Sequence, residues 1–167
     1  MSDPVIARKS NFAPGIGFAL VVVFAVVATV FFQTGAVSFS SLYTDFTYKS
    51  IKIGTLSLRV KVARTPAEQL KSLNNIPSIP QNEGMLFVFD QDGIYNMSTQ
   101  DMLFPVDLMW LDTEGTIVDA QANVAPGLRD PVHPQATARY VLMVNAGVMD
   151  HNDIAFRASV DLLNAAR

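Results

Sequence analysis

The chain has 167 residues, of which 50% are hydrophobic and 16% charged, and its formal net charge is −3. This length fits one domain with an attached segment. The acidic balance argues against nucleic-acid binding, which needs a basic face. The absence of cysteine excludes disulfides, thiolate nucleophiles, zinc–thiolate sites and a lipid-modified cysteine.

A long apolar stretch lies near the start of the chain. Residues 1–12 are polar, whereas Ala13–Phe32 contains no charged residue. About 20 apolar residues in a helix cover about 30 Å, the thickness of a bilayer core. The sequence therefore predicts a transmembrane anchor after a cytoplasmic tail. A cleaved signal peptide is the alternative, but its apolar region is usually about 7–15 residues. Arg8 and Lys9 precede the stretch and no basic residue follows before Lys49, which predicts a cytoplasmic N-terminus and a domain outside.

Residues 33–42 are small and polar and are predicted to form a tether, so that residues 43–167 make up an extracytoplasmic domain. Phe46–Ile53 and Leu56–Ala63 alternate between apolar and polar side chains, which indicates half-buried strands. The intervening Gly54-Thr55 predicts a hairpin turn.

A helix start follows the hairpin. Thr65 is a suitable N-cap, Pro66 suits the first helical position, and Glu68 completes a capping box. The helix is predicted to end by Leu73, because asparagines and a proline follow in the loop Asn74–Glu83.

The most apolar runs of the domain are Gly84–Phe89 and Phe104–Asp112, and both are short and rich in Phe, Val or Trp. This pattern favours buried strands at the centre of the core. Asp90–Gly93 between them predicts a turn, and Ile94–Thr99 predicts a weaker strand.

The remaining strands are predicted around a long loop, Ala125–Ala138, which contains three prolines and either has a function or covers a sheet edge. Asn145 is a candidate cap for a helical turn.

The predicted fold class is mainly β: a compact sandwich or barrel-like domain of about eight strands with one short helix, preceded by a single N-terminal transmembrane helix. The last predicted segments are strand Thr116–Val124, strand Arg139–Asn145, helical turn Ala146–Asp150 and strand Ala158–Leu162.

Three motifs resemble those of a known family. Gly84-Met85-Leu86-Phe87-Val88-Phe89 resembles the glycine–methionine–leucine–phenylalanine signature of the domain-of-unknown-function 192 family, a group of uncharacterised membrane or secreted proteins. Met102–Asp112 resembles its second signature and Tyr140–Gly147 its third, in the same order and spacing. The resemblance covers about Ile51–Leu162 and implies a mainly β fold without an established reaction. The chain departs from the family where Ser98-Thr99-Gln100-Asp101 replaces a tryptophan–methionine–lysine–asparagine quartet.

Asp101 and Asp107 are the candidate catalytic residues. Two carboxylates in different environments can serve as general acid and general base. Of the polar residues that the resemblance implies, Asp107 is retained. The alternative is a structural role in which Asp107 accepts hydrogen bonds and fixes a loop, and this is favoured because buried polar groups are usually hydrogen-bonded.

No metal or cofactor site is predicted. His133 and His151 are isolated, whereas zinc takes three or four ligands. Asp150, Asn152 and Asp153 lack the spacing and the bidentate glutamate of a calcium-binding loop. The chain contains no nucleophile elbow, phosphate-binding loop or dinucleotide-binding fingerprint in a suitable context.

Charge is unevenly distributed along the domain. Twelve acidic residues and three arginines lie between Glu83 and Asp161. The preceding hairpin and helix are basic, which would allow contact with anionic lipid headgroups. The favoured alternative is that these cations neutralise the acidic half or are simply solvated. The basic residues are Lys49, Lys52, Arg59, Lys61, Arg64 and Lys71.

Three functions are consistent with the sequence. The first is a membrane-anchored extracytoplasmic binding or interaction module, held in the lipid bilayer through Ala13–Phe32, with a protein or small ligand as its partner. The second is a hydrolase-like enzyme that uses Asp101 and Asp107. The third is a structural envelope component without a ligand.

Overall fold

The computed structural model describes residues 48–162 and Ala165, all within the compact unit Asp45–Arg167. The predicted cytoplasmic tail, anchor and tether, residues 1–42, lie outside the described residues. Within the described part of the chain, no helix has the length and apolar character needed to cross a membrane.

The described residues form seven strands and two short helices. All seven strands belong to one sheet, in the order β5-β4-β6-β3-β2-β1-β7. Neighbouring strands are antiparallel except β2 and β3, which are parallel and are joined through α1, as a parallel pair requires a crossover connection. The elements are β1 (Tyr48–Ile53), β2 (Leu56–Ala63), α1 (Pro66–Lys71), β3 (Glu83–Gly93), β4 (Val106–Leu111), β5 (Ile117–Val124), β6 (Ala138–Asn145), α2 (Val148–His151) and β7 (Val160–Asp161).

The sheet curves until its two outer strands approach each other. Thr116, just before β5, forms a bridge with Ser159, just before β7. The amide of Val160 donates to the carbonyl of Gly115 at 2.8 Å. Of the two predicted forms, sandwich and barrel-like, the structure therefore has the second. It is a half-barrel made of one seven-stranded sheet with two short helices.

The inner face of the curved sheet carries the first hydrophobic core, to which every strand contributes. This explains the alternating pattern of the first hairpin, because one side chain in two points inward while the next remains outside. The hairpin's contributions to this core are Ile51, Ile53, Leu58, Val60 and Val62.

A second core lies on the opposite face of β3, β4 and β6. Phe87, Trp110 and Val141 pack there with side chains from the loops that follow α1, β3 and β5. All six residues of β4 are consequently buried. Burial on both faces explains why the central runs are continuously apolar rather than alternating.

The predicted hairpin and capped helix are confirmed. The hydroxyl of Thr65 accepts a hydrogen bond from the amide of Glu68 at 3.3 Å. The Glu68 carboxylate in turn accepts from the amides of Thr65 at 2.9 Å and Arg64 at 2.8 Å. These bonds lower the pKa of Glu68, with the Thr65 amide as the largest cause. The helix ends at Lys71.

Two local predictions after the first central strand are wrong. Asp90–Gly93 is not a turn, because β3 continues through it to Gly93. Ile94–Thr99 is not a strand, and only Met97 forms an isolated bridge, with Val132. The observed sheet has seven strands instead of about eight.

The predicted cap of the second helix is also wrong. The N-cap of α2 is Gly147, without a side-chain capping bond. The side-chain amide of Asn145 instead donates to the carbonyls of Ile79 at 3.2 Å and Pro80 at 3.0 Å. Asn145 therefore ties β6 to the loop before β3.

Candidate ligand pocket

Asp107 joins three segments around β4. Its side chain is fully buried, and its two oxygens accept from the amides of Asn123 at 2.8 Å and Met149 at 2.9 Å. Asn123 lies where the register of β5 against β4 shifts, and its φ of 54° is left-handed. Met149 is in the first turn of α2. The carboxylate therefore holds the first turn of α2 and an irregular part of β5.

Asp101 has a different environment. It is exposed, in the turn before β4, and its backbone carbonyl accepts from the amide of Asn75 at 2.8 Å. Asp107 thus has the surroundings expected for a structural role, while Asp101 faces solvent. A catalytic role for Asp101 and Asp107 stays a prediction.

The candidate metal ligands are not brought together in the described residues. His133 and His151 are both exposed. Across residues 48–162, no group of three or more His, Asp or Glu side chains could hold a metal ion.

An open pocket of about 360 Å³ lies between the start of α1 and the end of β3. This volume is at the lower end of the range for small-molecule sites, about 300–1,000 Å³. Two other clefts, each of about 290 Å³, lie beside His151 and beside Phe156. The first pocket differs from these because a distortion of the sheet forms its wall.

That wall is a large bulge in β3. Val88 is opposite Tyr140 on β6, and Gly93 is opposite Ala138. Five residue steps along β3 therefore match two along β6, which pushes residues 89–92 out of the ladder. Bulges of this kind reorient side chains and occur often beside functional sites.

Several contacts brace the bulge. The rings of Phe89 and Tyr95 stack with centroids 3.5 Å apart and planes inclined by 7°. The hydroxyl of Tyr95 donates to the carbonyl of Gln91 at 2.6 Å. The guanidinium of Arg139 donates to the carboxylate of Asp92 at 2.7 Å, which raises the pKa of Arg139. These contacts together hold the wall of the pocket in place.

The opposite wall comes from α1. The side-chain amide of Gln69 donates to the carbonyl of Val88 at 3.0 Å, which links the helix to the first residue of the bulge. Arg64 lines the same pocket, and its guanidinium donates to the carbonyl of Ala165 at 2.7 Å. Helix and bulge therefore form one connected site.

The loop after β5 packs against the second core. The hydroxyl of Thr99 donates to the carbonyl of Ala125 at 2.9 Å, and the amide of Gln135 donates to the carboxylate of Asp119 at 2.6 Å. Val132 is buried in the second core. The loop therefore covers an apolar face of the sheet.

The basic hairpin is partly neutralised within the fold. Arg59 forms a salt bridge with the largely buried Glu83, and this hydrogen bond raises the pKa of Arg59. Its guanidinium carbon also lies 4.7 Å from the ring centre of Tyr48. Contact between this face and lipid headgroups stays a prediction.

Sequence reasoning missed the pocket residues because no short motif contains them. Gln69, Gln91 and Tyr95 lie on a helix, a bulge and a loop. The one local signal is the polar run Asp90-Gln91-Asp92 directly after a buried strand. That run is equally typical of a turn.

Comparisons with known proteins support the fold. A crystal structure from Sinorhizobium meliloti 1021, named as a candidate transcription regulator, is 21% identical, with a TM-score of 0.67, over 70% of this chain and 94% of that one. A protein of unknown function from Novosphingobium aromaticivorans DSM 12444 is 22% identical, with a TM-score of 0.67, over 71% of this chain and 88% of that one. No curated protein matches the chain significantly.

The family model of DUF192, described as "Uncharacterized ACR", matches residues 49–162. This range contains the buried Asp107, the pocket and both cores except Ala165. It also agrees with the resemblance seen in the three sequence motifs. The chain therefore belongs to the uncharacterised domain-of-unknown-function 192 (DUF192) family.

Proposed function

We propose that this protein is a membrane-anchored, extracytoplasmic binding module that takes a small ligand in the pocket between α1 and the β3 bulge. The braced bulge is the observation that carries the proposal. A surface strand could continue through residues 89–92 without distortion, yet here stacking, two side-chain hydrogen bonds and an ion pair hold it out of the ladder. A preformed wall lowers the ordering cost of binding.

The surroundings of the two candidate carboxylates favour this function over hydrolysis. A general acid or base must reach the proton that it transfers. Asp107 is fully buried and both its oxygens accept backbone hydrogen bonds, whereas Asp101 is exposed. A structural envelope component without a ligand would give no reason for a braced pocket.

The regulator description of the Sinorhizobium protein gives no support here. An identity of 21% shows a shared fold alone. The net charge of −3 also disfavours a nucleic-acid partner.

Binding is tested with the full chain in detergent micelles by titrating a chemically diverse set of small fragments and recording backbone amide NMR shifts. We expect the shifts to concentrate at Gln69, Gln91 and Tyr95. Tyr95→Leu removes the ring stack and should abolish them, while Tyr48→Leu, an exposed aromatic on the hairpin, should not. Fragments that perturb only residues elsewhere would contradict the proposal. So would substrate turnover that Asp107→Asn abolishes in a protein that still folds.

The proposed location has an independent test. The chain contains no cysteine, so Ser57→Cys in the exposed part of the hairpin creates a single labelling site. A membrane-impermeant maleimide should label it on intact spheroplasts. Labelling that requires lysis would place the domain inside and refute the orientation.

A further inference from the structure

The pocket offers complementary polar groups without a net charge. Asp90, Gln91 and Arg64 line it together with the stacked Phe89 and Tyr95. A carboxylate only accepts hydrogen bonds, a guanidinium only donates, and an amide does both. The site therefore matches a ligand that both donates and accepts at several positions.

Two of these groups have unused hydrogen-bonding capacity. Within residues 48–162, the carboxylate of Asp90 and the side-chain amide of Gln91 have no hydrogen bond or ion pair. Both residues are exposed on a bulge whose backbone is fixed by the neighbouring contacts of Gln91 and Asp92. The backbone of the bulge thus places both residues at the mouth of the pocket, where their side chains can turn toward a ligand.

The charge pattern narrows the ligand class. A strongly anionic ligand would meet Asp90 and a strongly cationic ligand would meet Arg64, and like charges at one site are unfavourable. A purely apolar ligand would leave the polar groups of the pocket desolvated without partners. A neutral ligand with several hydroxyl groups avoids all three costs.

The aromatic pair adds a shape requirement. Each ring of the stacked pair covers one face of the other, and an outer aromatic face, being negative, favours the weakly positive C–H groups of a saturated ring. Hydroxyl groups around the edge of such a ring can then reach Asp90 and Gln91. We infer that the ligand is a neutral saccharide. This inference rests on the proposed binding function and specifies its ligand class.

The test uses the full chain in a zwitterionic detergent without a sugar headgroup. Maltose, cellobiose and N,N′-diacetylchitobiose are titrated separately by calorimetry and by saturation-transfer NMR. We expect at least one to bind. Asp90→Ala should weaken that binding at least about 10-fold, because it removes a hydrogen bond to a charged acceptor. Asp130→Ala is the matched control, since Asp130 is exposed in the loop after β5 and outside the pocket, and it should have no effect.

The saccharide assignment is overturned if none of the three sugars binds, or if Asp90→Ala binds as tightly as the unmodified chain. Citrate and indole, as anionic and apolar probes, distinguish a wrong ligand class from failure of the proposed binding function. If either probe binds and Tyr95→Leu abolishes its binding, the ligand class is wrong but the pocket is a binding site. If neither these probes nor the fragment set shifts the pocket amides, both proposals fail.

Discussion

Replacing Asp107 should destabilise the domain more than replacing any exposed carboxylate. The side chain is fully buried and accepts two backbone hydrogen bonds of 2.8 and 2.9 Å. A hydrogen bond to a charged group is worth about 1.5–3 kcal/mol, and a buried amide left without a partner carries its own desolvation cost. Asp107→Ala breaks both bonds, so we expect a loss of about 3–5 kcal/mol in the free energy of unfolding.

Asp107→Asn separates the hydrogen bonds from the packing. Asparagine keeps the volume and one accepting oxygen, but its NH₂ group must face either the amide of Asn123 or that of Met149. One bond becomes a contact between two donors, and we expect a loss of about 2–3 kcal/mol. Asp101→Asn is the matched control and should change stability by less than about 0.5 kcal/mol, because Asp101 is exposed.

Urea unfolding of the full chain measures these differences. An unchanged slope of the unfolding free energy against urea concentration shows that the same folded and unfolded states are compared. Amide hydrogen exchange gives a local readout. Exchange at Asn123 and Met149 should accelerate more than at the central strands. If Asp107→Asn matches the stability of Asp101→Asn, or if both amides keep their protection, then the carboxylate does not hold these segments and the structural role is refuted.

Three further changes test other parts of the fold by urea unfolding. Ser72 has a strained backbone, with φ 45° and ψ −142°, and its hydroxyl is buried without a partner among the described residues. Ser72→Gly should therefore stabilise the domain by about 1 kcal/mol. Ser72→Ala should stabilise it by less, because alanine keeps the backbone strain. The folded-state pKa of Glu68 is lowered, first by the amide of Thr65, so its contribution is present above the unfolded pKa of about 4.3 and is lost as pH falls through the folded value. Glu68→Ala should therefore cost about 0.5–1 kcal/mol at pH 7 and progressively less in acid, whereas a pH-independent difference would contradict the capping box. Gly84→Ala should lower the free energy of unfolding by about 2–3 kcal/mol, because the new Cβ would lie 2.6 Å from the carbonyl oxygen of Met143. Unchanged stability would show that β3 and β6 can move apart at little cost.

Elements that depend on neighbouring residues were predictable from the sequence. The capping box involves Thr65 and Glu68, three positions apart, and the first hairpin turns at Gly54 between alternating strands. β4 was predictable for another reason. Its apolar run is continuous because both faces are buried, and its short length and its Val and Trp favour a strand over a buried helix.

Elements that depend on distant residues were not predictable. Asp90–Gly93 has the composition of a turn, but Asp92 pairs with Arg139, 47 positions away, and the strand resumes pairing at Gly93. Asn145 has the composition of a helix cap, but the loop carbonyls near Pro80 take its amide. In each case the local preference was real and a tertiary partner outweighed it.

The same reasoning explains why the carboxylate that stands out in the sequence is not the strongest functional candidate. Asp107 is conspicuous because it interrupts an apolar run, but a polar residue inside a core must be satisfied by the fold itself. Its two oxygens are accordingly used to hold α2 and β5. Asp90 is inconspicuous in a polar run, and its exposed carboxylate has no hydrogen bond or ion pair within residues 48–162. In the binding function that we propose, the ligand therefore meets the side chains that the bulge of β3 displays, not those that the core encloses.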